Sequence, residues 1–168
     1  MTLVIIYRIN GLHFCIVNKL QLNNGTQSIL CVIDFSESSV KALKWAGMMA
    51  IRLNAHLTIV HPYRLNQLKK KEDIVIMKKN IDIDAVKNFE NLAVELFKNG
   101  TISYDFHVEV GFIQDRVQEY LRKKDILFIV VGKKLLNNRE TMGELIEQIE
   151  VPLVIVPEML AQSIKASR

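Results

Sequence analysis

Cysteine and proline are scarce in this chain. Its 168 residues include two cysteines and three prolines. Cys15 and Cys31 lie in separate apolar runs, with no metal-ligand or redox-pair spacing between them. That argues against a disulfide scaffold or a zinc site and leaves two reduced, buried thiols in a cytoplasmic protein as the expectation. Charge of either sign is also in small excess. Basic residues number 22 and acidic residues 18, a formal +4, which favours solubility and weak attraction to anions without making a nucleic-acid surface. Long apolar runs are missing as well: Leu3-Val4-Ile5-Ile6-Tyr7 meets Arg8 too soon to span a bilayer and lacks the basic start of a secretory signal. Neither a specific nucleic-acid partner nor a membrane is expected.

What the chain does have is apolar residues, 49% of the total. That is enough for one sizeable α/β domain, and the length is short for two. Three segments are expected: an extension over 1–27, a domain over 28–158 and a tail over 159–168. In the extension, Asn10-Gly11 separates two short apolar runs and predicts a β-hairpin, because both residues tolerate positive φ in a tight turn. Asn23-Asn24-Gly25 offers a second turn. The hairpin reads either as an appendage or as a cover for a sheet edge.

From Ser28 the pattern becomes regular. Ile29 to Ile33 is a continuous apolar run that closes on Asp34, and Ser36 is placed to cap a helix in which Val40, Leu43, Ala46 or Gly47, Ala50 and Leu53 recur at helical spacing. Asn54 closes that helix. Leu57 to Val60 reads as a strand that Pro62 should end, since proline gives a sheet ladder no amide. Lysines at 69–71 and 78–79 suggest a solvated connection or the first turns of a helix. Val86, Phe89, Leu92, Ala93, Leu96 and Phe97 then form a helical stripe that Gly100 should terminate. A strand over Ser103 to Val108, a turn at Gly111, a helix through Val117 and Leu121, and an apolar strand over Ile126 to Val131 follow. A short helix near Glu140 to Gln148 and the proline-bracketed run Val151 to Pro157 complete the order β-α-β-α-β-α-β-α-β. Such alternation predicts an open, mostly parallel five-stranded sheet with helices on both faces.

Several dispersed pieces of the chain resemble the universal stress protein family: Asp34-Phe35-Ser36 with Ser39, the rim at Val60-His61-Pro62, Glu109-Val110-Gly111, Asp125 ahead of the strand ending at Gly132, and the last strand led by Pro152. The resemblance covers Ser28 to Glu158. It implies an adenine-nucleotide α-hydrolase-like domain, a cytoplasmic homodimer and a regulatory role in stress survival. In the nucleotide-binding branch, the fourth strand is followed by glycine, two residues, glycine, nine residues, then glycine with serine or threonine. Gly132 matches the first member. Leu135 and Leu145 stand at the next two, no Gly-Ser or Gly-Thr pair follows, and the connection to Pro152 is several residues short. The chain therefore resembles more closely the branch without the glycine-rich ATP motif, because glycines let backbone amides approach phosphate oxygens and leucine does not.

The resemblance also implies a remnant of an adenine pocket made by Asp34, Pro62, Val131 and Gly132. Asp34 has a competing structural reading, ordering the turn and helix that follow it. No cofactor is expected, with ATP or AMP as the candidate ligands if any binds, and Lys133, Lys134 and Arg139 as the cations available to a phosphate. No catalytic or metal-ligating set stands out: His13, His56, His61 and His107 lack metal spacing, and Ser36 reads as a cap rather than a nucleophile. The expected protein is thus a non-catalytic homodimeric stress-response or interaction protein with weak or absent nucleotide binding. Its alternative is an adenine-nucleotide sensor with a degenerate phosphate loop. The terminal strand Pro152 to Val156 is expected to pair with its counterpart in the second copy, and a further protein partner fits the same reading.

Overall fold

The computed structural model describes residues 5–9, 12–16, 27–65, 71–98, 102–136 and 139–157. Strands β1 (Ile5–Ile9) and β2 (Leu12–Ile16) precede β3 (Ser28–Val32), α1 (Glu37–Leu53), β4 (His56–Tyr63) and α2 (Lys71–Leu96). Then come β5 (Tyr104–Val110), α3 (Ile113–Lys123), β6 (Ile126–Gly132), a 3-10 turn over Lys133–Leu136, α4 (Arg139–Gln148) and β7 (Leu153–Val156). The strands form one sheet in the order β1-β2-β7-β6-β3-β4-β5. The five strands β3 to β7 are parallel, as the alternation of strands and helices predicts, and β1 and β2 add an antiparallel hairpin on the β7 side. The turn residues Asn10-Gly11 and Asn23-Asn24-Gly25, and Gly100, lie outside the described residues.

Both sheet faces are covered. On one, Ile29, Cys31 and Ile33 of β3 and the adjoining turn pack with Leu43, Ala46 and Ala50 of α1 and Phe89 of α2. On the other, Leu30 and Val32 pack with Val117 of α3, Ile129 and Val131 of β6, and Leu145 of α4. Alternate residues of one strand thus enter opposite cores, which is why Ile29 to Val32 is a continuous apolar run instead of an alternating one. Cys31 is fully buried, and burial pushes its thiol far above the ordinary range, so it is an inert core residue. In α1 the small residues let neighbours approach closely. A Cβ on Gly47 would lie 2.8 Å from the Phe97 ring.

One expectation needs correction. The second strand of the domain does not stop before Pro62: β4 runs to Tyr63, with Pro62 opposite Glu109 of β5. The Leu57 amide donates to Ser103 on the β5 side, so by alternation the nitrogen of residue 62 faces β3. There β3 has just ended, and the Ile33 carbonyl that an amide at 62 would have served accepts a hydrogen bond from His61 Nδ1 at 2.9 Å instead. The histidine side chain replaces the missing donor, and the strand continues.

A further observation concerns the edge expected to carry a homodimer. The outer side of β7 is occupied by β2, with His13 opposite Ile155, Phe14 opposite Val154 and Cys15 opposite Leu153. Within the single chain, the terminal strand Pro152 to Val156 therefore has β2 as its outer neighbour.

Candidate functional site at the carboxyl rim of the sheet

From β3 the chain moves outward to β4 and β5, then returns to place β6 on the other side of β3. The reversal puts the switch point of the sheet between the carboxyl ends of β3 and β6, where open α/β sheets form their ligand crevice. Asp34 and Gly132 flank that point: Val32 pairs with Val131, and each strand ends within two residues of them. Two sequence candidates are thereby brought together. Pro62 lies one strand away on β4, and Val131 is fully buried beneath the rim.

Asp34 is exposed and organises the turn into α1. Its Oδ1 accepts the Ser36 amide at 3.0 Å and also the Ser36 hydroxyl. Ser36 Oγ in turn accepts the Ser39 amide at 3.3 Å and caps α1. Ser39 Oγ closes the loop, accepting from the Asp34 amide at 3.3 Å and donating to the Ser36 carbonyl at 3.0 Å. Partial burial tends to raise the Asp34 carboxyl, but the hydrogen bonds from Ser36, Ser39 and the local backbone outweigh it and hold the group below the usual carboxylate range. Among the described residues, no hydrogen bond engages Oδ2. Between these polar residues Phe35 adopts φ +60, uncommon for a bulky side chain, and its ring lies 4.7 Å from that of His61 and 6.3 Å from that of Phe106.

Gly132 has a packing reason to be glycine. A Cβ there would lie 2.6 Å from the Ser38 carbonyl carbon and oxygen, so the end of β6 rests on the first turn of α1. The following turn is fastened by the Lys134 amide, which donates to Ser38 Oγ at 3.2 Å. Lys133 and Lys134 are exposed on this rim. Leu135 packs against the core and Leu136 is buried, while Leu145, at the register of the third glycine, is fully buried within α4. These three leucines thus contribute to the core on this side of the sheet. Arg139 begins α4, with its side chain outside the description.

Below Pro62, β3, β4 and α3 close on one another, with Val32, Ile113 and Arg116 among the lining residues, and leave no room for a water-sized molecule. Arg116 pairs with Glu119 at 2.7 Å, and its Nε is buried without a hydrogen-bond partner. Neither Arg116 nor the Ser38 and His61 contacts were apparent from sequence. A serine two residues after the cap and a histidine directly before a strand proline are the only local signals.

A second polar cluster occupies the opposite end of the sheet. Asp105 on β5 accepts from Lys124 at 2.6 Å and lies 3.0 Å from His107 and 3.1 Å from His56. Lys124 also donates to Thr58 at 2.9 Å, and His56 Nδ1 is 2.7 Å from Ser103 Oγ. Burial opposes ionisation of Asp105, yet Lys124, His107 and Thr58 overcome it and hold the carboxyl far below its ordinary value. Ser103, His56 and Asp105 follow one another by distance, but Oδ1, the oxygen facing His56, has no hydrogen-bond partner among the described residues, and Oδ2 is held by the lysine that closes α3 against β4 and β5. This is the geometry of a clamp between elements.

Comparison with known proteins resolves the family. The model of the universal stress protein family matches residues 25–157. The chain belongs to the universal stress protein family. A family member from Burkholderia pseudomallei superposes with a TM-score of 0.63 at 16% identity, covering 79% of this chain and 96% of that one. A universal stress protein in complex with cAMP gives 0.59 at 19% identity over 79% and 98%. A family member from Archaeoglobus fulgidus in complex with dAMP gives 0.53 at 17% over 79% and 98%. At these identities the likeness is one of fold. No curated protein sequence matches the chain. Among the described residues, no helix is long and apolar enough to cross a membrane, and no three or more His, Cys, Asp or Glu side chains are placed to hold a metal ion.

Proposed function

We propose that this universal stress protein is a non-catalytic regulator that associates with an adenine nucleoside or mononucleotide at the rim formed by Asp34, Pro62, Val131 and Gly132, without a triphosphate cradle. The observation that carries the reading is the pairing of a retained rim with a filled loop. Asp34 and Gly132 flank the switch point, whereas Leu145 is buried at the register of the third glycine. A carboxylate oxygen without a described partner can accept from an exocyclic amine or a ribose hydroxyl. Exposed Lys133 and Lys134 supply charge for one phosphate, but flexible lysines do not order a chain of phosphates as stacked backbone amides do. The family members solved with cAMP and dAMP support this class of ligand. In this reading 28–158 is the working domain, flanked by the extension 1–27 and the tail 159–168, and the match over 25–157 supports that division.

Calorimetric titration with adenosine, AMP and ATP, with and without magnesium, tests it. Saturable heats for adenosine and AMP are expected, with ATP binding no more tightly than AMP. A large gain from the β- and γ-phosphates would show a cradle these residues do not provide. Silence from all three through millimolar concentration would favour the second reading, a protein-interaction module, for which the engagement of Asp34 Oδ1 by its own turn is the favouring observation.

A further inference from the structure

Without the hairpin, β7 would be the edge of the sheet. Its sequence, Leu153-Val154-Ile155-Val156, carries no charge, and Leu153, Val154 and Val156 are buried. A short apolar strand with unpaired amides and carbonyls is a template for another strand, and a two-fold axis through it would bring the same strand of a second copy alongside in antiparallel sense. β2 runs antiparallel to β7 over Leu153 to Ile155, in the place that such a partner would take. The backbone groups on that side can serve one neighbour at a time. β1 then becomes the outer edge, and its sequence contains Arg8, a charge of the kind that discourages further pairing, whereas β7 has none.

We propose that the N-terminal hairpin is an in-chain competitor of self-association: β2 occupies the edge through which two copies would pair by β7, so the intact chain is closed to that dimer and becomes competent for it when the hairpin is displaced. The inference rests on strand order and register and is independent of whether any nucleotide binds.

The test uses the full chain. Sedimentation across micromolar to millimolar protein should give a monomer for the unaltered chain. Phe14→Pro combined with Cys15→Pro removes adjacent β2 amides that face opposite sides, breaking the hairpin from both neighbours, and the mass should double within the same range. Conversely, His13→Cys with Ile155→Cys, in a Cys15→Ser background, joins two opposed positions whose separation suits a disulfide. The oxidised form should remain monomeric at every concentration. Hydrogen exchange on the dilute unaltered chain supplies a readout that needs no variant: the β7 amides should be protected in the monomer. β7 amides exchanging like an open loop, a dimer that survives in the locked form, or a proline variant that stays folded and monomeric would each overturn the proposal.

Discussion

Gly132 at the end of β6 and Ser38 in the first turn of α1 are in backbone contact: a Cβ on the glycine would come within 2.6 Å of the serine carbonyl oxygen. This contact sets the spacing across the switch point and holds the 3-10 turn through Lys134. Backbone cannot give way as a flexible side chain can. Gly132→Ala is therefore expected to cost about 1–3 kcal/mol, the usual penalty for overpacking. Denaturant unfolding would show it as a lower midpoint, and a midpoint equal to that of the unaltered chain would contradict the contact.

Asp34 and Ser36 share a hydrogen-bond network but differ in what they leave exposed. Ser36→Ala removes the cap of α1 and should cost about 1 kcal/mol, with adenosine binding largely retained. Asp34→Ala leaves the Ser36 amide without its acceptor, should cost about 1 kcal/mol by the same reasoning, and should abolish the adenosine heat. Parallel melting and titration of the two variants separate the roles: equal effects on both readouts would mean that Asp34 acts only by ordering the turn.

Glycine in place of Leu145 should damage the fold without gaining a ligand. Leu145 is fully buried in α4 against the core, so Leu145→Gly creates a cavity and weakens the helix, together costing roughly 3–5 kcal/mol. ATP titration of whatever variant folds should give no new heat. A gain in ATP affinity would show that the loop had been one substitution from a working cradle.

Acid sensitivity should trace to the far end of the sheet. The folded state holds the Asp105 carboxyl below its unfolded value, so between the two values the unfolded chain binds more protons. The stabilisation is therefore complete at neutral pH, begins to fade as pH falls through about 4, the ordinary carboxylate range, and is lost as the folded value is passed. Unfolding midpoints measured against pH should show a steeper acid limb for the unaltered chain than for Asp105→Asn. The same limb in both would place the titrating group elsewhere.

How legible the fold was depends on how local its causes are. The alternation of apolar runs and helical stripes specifies the five parallel strands, because strands buried on both faces must read as β3 and β6 do. Ser36 and Asn54 mark the ends of α1 for reasons contained in a few residues: a hydroxyl within reach of an amide, and φ 50 at the C-cap. The extent of β4 was not legible, because a proline's effect depends on which neighbour its nitrogen faces, and His61 reaches a carbonyl 28 positions away. The Asp105 cluster draws on β4, β5 and α3, so no spacing in the chain announces it. The same holds at the rim, where Asp34 and Gly132 are visible as candidates but the contact that requires glycine comes from Ser38.

The bond from His61 to Ile33 has a consequence for the rim. Its acceptor is the carbonyl that an amide at 62 would have served, so a side chain carries the ladder past the proline. A residue at 61 without a side-chain donor would leave that carbonyl unserved just where β4 runs on to Tyr63. The rim thus takes its shape from one side-chain bond as well as from the strand ladder.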